Sequence, residues 1–329
     1  MAEIVNTKPD ISVLIPAYNA ESTIASAVWS VLNQSFASFE LLVYIDGATD
    51  RTVDMVAPIE DDRLRLIVNA QNLGISAARN ALLQHAKGKY VAWLDADDIM
   101  LPGRLREQFD VLETQQELDF LGGWAELRNS GLKRVQVSTD TQWLETHLQF
   151  RNPFIHSSIM ARNFFVEEQL MYDTALDYTE DYDLYLRCAK AGKKPGMYPG
   201  FVVSYRMPDA EEGSARQEKY RLTEKLGVLL RRQFPFVDTA EAPVIIGFLR
   251  GNAKLGQTEF KTVRHFLVQA RRQLKKSGKW QRGAAAYMLY QRLRLTRLRF
   301  GLWRTLLVMA TSNPALMRFM LKQRTKYGR

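Results

Sequence analysis

The segment NLGISAARNALLQHAKGKYVAWLDADDIMLPGRL, residues 72–105, decides the fold class of this chain. A helical pattern begins at Ser76, and the apolar run YVAWLD (90–95) that follows is typical of a buried strand. Three carboxylates come at the end of that run, at Asp95, Asp97 and Asp98. Negative charge is therefore concentrated where a strand ends, which requires either a ligand or a structural explanation.

The residues before this segment repeat the same alternation of strand and helix. Apolar runs predict strands at 11–18, 39–46 and 64–69, and helical patterns lie between them. This β-α-β-α-β-α-β order predicts an α/β fold with a mostly parallel sheet, in which ligands bind beyond the carboxyl ends of the strands. Polar residues follow every predicted strand, so we expect them to meet at one edge. They are Tyr18 and Asn19, Asp46 and Gly47, Asn69 to Gly74, and Asp95 to Asp98.

The acidic turn has two interpretations. Two aspartates spaced as Asp95 and Asp97 are can offer oxygen ligands to a hard divalent cation that also holds a diphosphate. Alternatively, Asp97 or Asp98 caps a helix that Pro102 begins, because Asp is common before a helix with Pro in its first turn. The spacing alone leaves both interpretations open.

The charge of the chain is divided between an acidic body and a basic tail. Residues 1–215 hold 19 Lys and Arg against 31 Asp and Glu, whereas residues 216–329 hold 26 against 5. The whole chain of 329 residues has a formal net charge of +9. Such a division predicts two functions on one polypeptide, with the basic part facing an anionic lipid surface or nucleic acid. The polar stretch 207–217 is the expected boundary.

Cysteine content and hydropathy indicate a cytoplasmic protein. The lone Cys188 cannot form an internal disulfide, and residues 1–10 lack the basic and apolar layout of a signal peptide. The uncharged stretch 305–317 is shorter than the roughly 20 apolar residues that a spanning helix needs. We therefore expect a cytoplasmic enzyme without a transmembrane segment.

Five ordered blocks carry a resemblance to a known family. They are VLIPAYNAESTIASAVWSVLNQSF (13–36), IDGATDRT (45–52), the segment 72–105, NPFIHSSIMAR (152–162) and YTEDYDLYLRCAKAG (178–192). In this order they resemble the inverting glycosyltransferases of family 2, which have the GT-A fold, a Rossmann-like nucleotide-diphospho-sugar transferase domain. The resemblance runs from about Ile11 to Arg206 and does not cover the basic tail.

The resemblance implies a nucleotide-sugar pocket at the strand ends. Asp46 would hydrogen-bond the base, and Asp95 would contact the ribose or the sugar, with Ala96 beside it. Arg79 would face the diphosphate, and Asp97 would hold the metal. The residues that would line the nucleotide pocket are Pro16, Ala17, Tyr18 and Asn19.

Three of these assignments have structural alternatives. Tyr18 and Asn19 are also explained by strand-end packing and helix capping, and Arg79 by a solvated position on a helix surface. The family's acidic turn has two adjacent Asp residues followed by Gly and Ser, whereas this chain has Ile45-Asp46-Gly47-Ala48. The retained Asp46 preserves the pocket but leaves the identity of the nucleotide less defined.

A general base is required because an acceptor hydroxyl attacks poorly until its proton is removed. The resemblance places Asp181 at that position, and Glu180 on the acceptor side. The alternative is that acids in the first turn of a helix starting near Thr179 only stabilise the helix dipole. His156 could complete the metal shell or touch the acceptor, although a lone His is more often structural.

These parts predict a metal-dependent inverting glycosyltransferase that uses Mg²⁺ or Mn²⁺. It would move a sugar, from a UDP-sugar by preference, to a hydroxyl of a saccharide or lipid-linked saccharide in cell-surface polysaccharide or lipopolysaccharide synthesis. The chain has no Gln-x-x-Arg-Trp motif, so we expect a non-processive enzyme. The alternative is a catalytically inactive GT-A-fold adaptor attached to membrane through its basic tail. A glycosidase and a nucleotidyltransferase fit the motifs less well.

The tail decides where such an enzyme works. Its stretch 284–310 interleaves bulky apolar residues with arginines, which is typical of a helix in an anionic membrane interface. A helical bundle packed on the catalytic domain is the alternative, and nucleic-acid binding has no supporting motif. We therefore predict a GT-A domain over 1–208, with donor and acceptor halves meeting near 100, and a basic helical region over 209–329. Lipid binding by 284–329 would place the enzyme on the cytoplasmic face of a membrane.

Overall fold

The computed structural model describes residues 8–129, 134–208, 211, 213, 218, 221–251 and 257–279. The chain divides into two compact units. Unit 1 is Met1–Thr139 with Phe154–Tyr220, and unit 2 is Asp140–Pro153 with Arg221–Arg329. The predicted domain boundary at 208 therefore differs from this division in one main respect, because residues 140–153 belong to unit 2.

The first half of unit 1 is the predicted alternation of strands and helices. The strands are β1 (Ile11–Ala17), β2 (Phe39–Asp46), β3 (Leu64–Asn69) and β4 (Tyr90–Trp93), and the helices are α1 (Ile24–Leu32), α2 (Thr52–Val56) and α3 (Ile75–His85). All pairings among these strands are parallel, with β1 between β2 and β4. Their carboxyl ends consequently lie at one edge, as predicted.

Burial explains why these strands are continuous apolar runs. Every residue of β1 is buried, and so is all of β2 except Glu40, because helices cover a parallel sheet on both faces. The buried side of α1 carries Ile24, Val28 and Val31, which pack in the same core cluster as β1 and β2. The apolar runs at 11–18 and 39–46 are therefore continuous because both faces of these strands are buried. A strand with one exposed face would alternate apolar and polar residues.

The second half of unit 1 extends the sheet with strands of mixed direction. Its elements are β5 (Ile99–Met100), α4 (Arg104–Thr114), β6 (Phe120–Arg128), β7 (Arg134–Val135), β8 (Met160–Arg162), α6 (Glu180–Lys190) and β9 (Pro195–Arg206). The strand order is β3-β2-β1-β4-β8-β6-β9-β5, with β7 paired to β6. The structure therefore confirms the α/β fold with a largely parallel sheet.

The short strand β5 positions the acidic turn. Ile99 pairs with Ser204 and Met100 pairs with Val203, both antiparallel. The end of β9, at Tyr205 and Arg206, is consequently brought next to the aspartates that precede β5. This pairing joins segments that are about a hundred residues apart in the sequence.

Unit 2 is helical and has its own aromatic core. Its helices are α5 (Thr141–Leu148), α7 (Leu222–Gln233), α8 (Ala242–Arg250) and α9 (Gln257–Lys276). Phe150, just after α5, packs against Phe234 and Phe266 with ring centroids 5.7 and 6.3 Å away. The Thr146 hydroxyl also donates a hydrogen bond to the Lys279 carbonyl at 3.0 Å. These contacts explain why residues 140–153 fold with the C-terminal helices.

The described helices give no transmembrane candidate. None of the helices in the described ranges is both long enough and apolar enough to cross a bilayer. The stretch 284–310, predicted to lie in a membrane interface, falls outside the described residues.

Candidate functional site

Four consecutive residues of the predicted nucleotide pocket lie at the carboxyl end of β1. Tyr18 follows β1 and is 50% exposed, which leaves its ring available for a ligand. Pro16 and Ala17 lie within β1 and are buried. Asn19 has a φ of 47°, and its side-chain oxygen accepts a 2.8 Å hydrogen bond from the Thr49 backbone. Asn19 therefore ties the end of β1 to the loop after β2, and nucleotide contacts for this group remain a prediction.

Asp46 anchors the loop that leads into α3. Its buried carboxylate accepts hydrogen bonds from the backbone of Leu73 at 3.0 Å and of Gly74 at 2.9 Å. The side-chain amide of Asn69 donates a third at 3.2 Å. Gly47 is required beside it, because a Cβ there would lie 2.3 Å from the Asn72 nitrogen. Asp46 thus has a clear structural role, and its predicted contact with a base stays a prediction.

The acidic turn contains two partly exposed carboxylates, Asp95 and Asp97, and one buried carboxylate, Asp98. The Asp97 side chain is 33% exposed, and one of its oxygens lies 3.3 Å from a guanidinium nitrogen of Arg206. Asp98 is fully buried and accepts a 2.7 Å hydrogen bond from the Arg206 backbone. Burial and the neighbouring Asp95 raise the pKa of Asp98 to about 8. The capping interpretation is wrong for both residues, because α4 begins at Arg104 and Gly103 precedes it.

Arg79 lies between the two halves of the site. Arg79 is 4% exposed, and its guanidinium donates to the Asp95 carboxylate at 2.8 Å and forms an ion pair with Glu180. Burial alone would lower the pKa of Arg79, but the charges of Asp95 and Glu180 raise it above its usual value. Arg79 is therefore not a solvated helix-surface residue, since two carboxylates hold its terminal nitrogens, and its position facing a diphosphate stays a prediction.

The predicted base lies in the first turn of α6. Asp181 is partly exposed, and its carboxylate accepts a 2.6 Å hydrogen bond from the Tyr182 backbone. It is close enough to influence the pKa values of Arg79 and Tyr205. Glu180, one residue earlier, is buried against Arg79, so the geometry does not support its predicted contact with an acceptor. Burial raises the pKa of Glu180 to about 7 despite the opposing charge of Arg79.

His156 is a buried structural residue in this geometry. It begins a short 3₁₀ turn, His156–Ser158, and its two ring nitrogens lie 2.6 Å from the Tyr185 hydroxyl and 3.2 Å from the Tyr172 hydroxyl. Burial and the nearby Arg79 keep the pKa of His156 below its ordinary value. The structure does not support the predicted metal or acceptor role, because both nitrogens already have hydroxyl partners.

The donor set fits a divalent cation in one mode only. Within the described ranges, no three His, Cys, Asp or Glu side chains gather as a protein-only metal site would require. Mg²⁺ and similar ions are often held by one carboxylate together with substrate phosphates and water, and the partly exposed Asp97 suits that mode. Asp97 would hold such an ion together with a bound diphosphate, and the predicted Mg²⁺ or Mn²⁺ cofactor stays a prediction.

Several residues around the acidic turn were not identified from the sequence. The Arg128 guanidinium donates to the Asp97 carbonyl, Arg206 pairs with the Asp97 carboxylate, and the phenol of Tyr205 has its pKa raised by burial and by four nearby aspartates. Arg104 is fully buried and donates to the carbonyls of Trp93, Ser157 and Ile159. Pairing between distant strands brings Arg128, Tyr205 and Arg206 to the turn, so no local pattern could have identified them.

Comparison with known proteins places this geometry in a family. The family model described as glycosyl transferase family 2 matches residues 12–169. An uncharacterized glycosyltransferase of Methanocaldococcus jannaschii is 30% identical over 223 residues, which span 65% of this chain and 77% of that protein. This chain belongs to glycosyl transferase family 2. As a family 2 glycosyltransferase it is an enzyme, and the activity expected from its motifs is confirmed at that level.

A further relative and two solved structures are similar to this family 2 glycosyltransferase. An Escherichia coli protein named UDP-Glc:alpha-D-GlcNAc-diphosphoundecaprenol beta-1,3-glucosyltransferase is 29% identical, covering 62% of this chain and 79% of its own. Staphylococcus aureus TarS, solved with UDP-GlcNAc, superposes with a TM-score of 0.59 at 17% identity and covers 87% of this chain and 84% of its own. A mannosyltransferase of Pyrobaculum calidifontis, in complex with GDP-Man and Mn²⁺, gives 0.53 at 16%, with 97% and 81% covered. The solved structures confirm the GT-A fold.

Proposed function

We propose that this glycosyltransferase transfers a sugar from a UDP-sugar to a hydroxyl of a lipid-linked saccharide, with inversion at the anomeric carbon. One observation carries the proposal. The donor-side residue Asp95 and the first turn of α6, which carries Asp181, are held at opposite ends of the same buried Arg79. A donor at the strand ends would therefore lie next to a carboxylate able to accept a proton.

The proposed reaction is a single displacement. Asp181 accepts the proton of the acceptor hydroxyl while the hydroxyl oxygen bonds to the anomeric carbon, and the bond from that carbon to the diphosphate oxygen breaks. The UDP leaves with the bonding electron pair. Asp46 holds the loop beside the nucleotide, and Asp95, oriented by Arg79, faces the ribose or sugar. A divalent cation at Asp97, when bound, supplies positive charge beside the leaving diphosphate.

The donor and acceptor classes rest on relatives. The Escherichia coli relative is named for UDP-glucose and a diphosphoundecaprenol-linked GlcNAc, and TarS was solved with UDP-GlcNAc. Succinoglycan biosynthesis protein ExoO of Rhizobium meliloti, 33% identical over 213 residues, is a further relative in polysaccharide synthesis. We propose the same kind of substrates here, with one sugar added per encounter.

A lipid-linked acceptor would bring the enzyme to a membrane surface. One side of α9 exposes Lys261, Arg264, Arg272, Lys275 and Lys276, as the burial pattern of that helix shows. Basic residues near anionic lipid each contribute roughly 1 kcal/mol of attraction. We propose that this basic face of α9 binds an anionic bilayer, together with the predicted segment 284–329. A cytoplasmic location remains a prediction.

The proposed function is tested by nucleotide binding and by transfer. Calorimetry with UDP, GDP, dTDP and CDP, each with and without Mn²⁺, should show binding of UDP that Mn²⁺ strengthens. UDP-glucose and a synthetic α-D-GlcNAc-diphosphate lipid should then give a β-linked product from the α-linked donor. The Asp181→Asn variant should bind UDP normally but lose transfer, whereas Asp110→Asn, an exposed carboxylate on α4, should retain both. Binding of no nucleotide would favour the adaptor alternative.

A further inference from the structure

One face of α3 grips the chain segment that leads into α6. Ser76, Arg79 and Asn80 are three and four residues apart, so they lie on the same side of the helix. All three contact residues between Tyr172 and Glu180, roughly a hundred positions later in the chain. These three contacts join α3 to the segment 172–180, which ends one residue before the proposed base Asp181.

Two of the three contacts, those of Asn80 and Ser76, are hydrogen bonds to the segment before α6. The Asn80 amide donates to the Tyr172 carbonyl at 2.9 Å, and its oxygen accepts from the Tyr172 backbone at 2.8 Å. The Asp177 carboxylate accepts from the Ser76 backbone at 3.1 Å and also from the Ser76 hydroxyl. These backbone and side-chain hydrogen bonds together fix the position of the segment 172–177 along α3.

The third contact is the buried ion pair between Arg79 and Glu180. The guanidinium lies 5.7 Å from the Tyr172 ring and 6.0 Å from the Trp93 ring, so apolar groups exclude water from it. The second carboxylate oxygen of Glu180 is buried and has no hydrogen-bond partner. Burying such a pair costs desolvation energy that a well-packed apolar pair would avoid. Stability alone therefore gives a poor account of it.

We propose that Arg79 and Glu180 are positioning residues that hold Asp181 at its working distance from the donor. This inference rests on the proposed function, in which Asp181 removes the acceptor proton. Glu180 precedes Asp181 in the same helical turn, while Asp95, two residues after β4, accepts a hydrogen bond from the other terminal nitrogen of Arg79. One rigid guanidinium thus couples the proton acceptor to the donor side of the site.

The shape of the guanidinium matters as much as its charge. Arg presents a planar fork of donors, so one side chain can serve two carboxylates in different directions. A lysine ammonium is compact and cannot reach Asp95 and Glu180 with the same geometry. A misplacement of about 1 Å in a reacting group can cost about 100-fold in rate. Small shifts of α6 are therefore expected to lower kcat.

The test compares variants that break the link with variants that keep it. We expect Glu180→Ala to lower kcat with UDP-glucose and the GlcNAc-diphosphate lipid by about 10-fold to 100-fold. The KM for UDP-glucose and the Kd for UDP should stay within about threefold, because Glu180 lies away from the nucleotide in the proposed site. Glu180→Gln, which still accepts a hydrogen bond from Arg79, should restore most of kcat. Arg79→Lys should lower kcat without such recovery.

A matched control lies on the same helix. Arg187 pairs with Asp183 at 2.6 Å within α6 and donates to the Met171 carbonyl at 2.6 Å, so Arg187→Gln removes contacts of α6 that do not reach the donor side. It should lower the melting temperature with little change in kcat. A kcat for Glu180→Ala equal to that of Arg187→Gln would overturn the inference, and so would an effect confined to KM. Wild-type kcat in Asp181→Asn would instead refute the base assignment, which separates the two failures.

Discussion

The guanidinium of Arg206 lies 3.3 Å from the carboxylate of Asp97, so a protein cation already occupies one side of the proposed metal ligand. A divalent ion would have to share or displace it. We expect Asp97→Asn to abolish the strengthening of UDP binding by Mn²⁺, because a neutral amide is a much weaker ligand than a carboxylate. Titration of UDP by calorimetry, with and without Mn²⁺, measures this effect.

Removing the charge of Arg206, the ion-pair partner of Asp97, should have the opposite effect on Mn²⁺-dependent UDP binding. Arg206→Gln keeps the backbone hydrogen bond to Asp98 but removes the competing charge. The Mn²⁺ concentration needed for half-maximal UDP binding should then fall a few-fold. Unchanged Mn²⁺ dependence in Asp97→Asn would exclude this residue as the metal ligand.

Asp46 should couple loop order to nucleotide affinity. Asp46→Ala removes the acceptor of the backbone hydrogen bonds of Leu73 and Gly74. Each lost bond to a charged acceptor is worth about 1.5 to 3 kcal/mol, so we expect a clear fall in the free energy of unfolding. UDP affinity should fall at least tenfold. Urea denaturation and calorimetry measure the two effects, and Asp54→Ala, on the short helix α2, is the control.

Arg104 should contribute to the stability of the folded protein. Arg104→Met keeps the apolar stem but removes the donor to the carbonyls of Trp93 and Ser157, whereas the Ile159 carbonyl keeps the hydrogen bond that the Trp93 backbone donates at 2.9 Å. Unsatisfied buried carbonyls cost about 1 to 3 kcal/mol each, so a loss of about 2 kcal/mol or more is expected from these two. Urea denaturation checks it. A loss below about 1 kcal/mol would show that other donors replace the guanidinium.

The sequence predicted the fold wherever local pattern and burial agree. Strand β2 begins and ends where its apolar run does, at Phe39 and Asp46, because polar residues bound it on both sides. The predicted strand 90–95 was two residues too long, since β4 ends at Trp93 and the chain turns toward β5. Leu94 is buried without being part of a strand, which composition alone cannot distinguish.

The candidate site was less predictable because its contacts are non-local. The sequence allowed Arg79 to be either a solvated residue or a phosphate ligand. Only the packing of α6 against α3 shows that it is buried between Asp95 and Glu180. His156 depends in the same way on Tyr172 and Tyr185. Side chains that are satisfied by residues far along the chain leave no periodic signal, so the roles of these residues required the folded structure.

Glu180 should make the stability of the protein depend on pH. Burial raises its pKa to about 7 from a usual 4.5, so the folded state binds the proton more tightly than the unfolded state. The resulting stabilisation is complete below about pH 4.5 and is lost as the pH rises through about 7. It is worth about 3 kcal/mol at most. The free energy of unfolding should therefore fall between pH 5 and 8 more steeply in the wild type than in Glu180→Gln.

The comparison with Glu180→Gln is needed because other groups titrate in the same range. The pKa of His156 is lowered by burial, which makes stability rise with pH and opposes the Glu180 effect. Subtracting the two pH profiles, each from urea denaturation, isolates Glu180. Parallel profiles would mean that Arg79 keeps Glu180 ionised in the folded protein throughout this range.

The basic face of α9 should bind anionic bilayers. Lys261, Arg264, Arg272, Lys275 and Lys276 are exposed on this helix, while Val263, Phe266 and Ala270 are buried in the core of unit 2. Reversing Arg264, Arg272 and Lys275 to glutamate would make the face acidic without touching that core. Cosedimentation with vesicles of phosphatidylglycerol and phosphatidylcholine should then fall more than tenfold, since each basic residue adds roughly 1 kcal/mol. UDP binding should be unchanged, because α9 carries none of the proposed nucleotide residues. Equal vesicle binding by the triple variant and the wild type would exclude this face as the membrane contact and leave residues 284–329 as the remaining candidate.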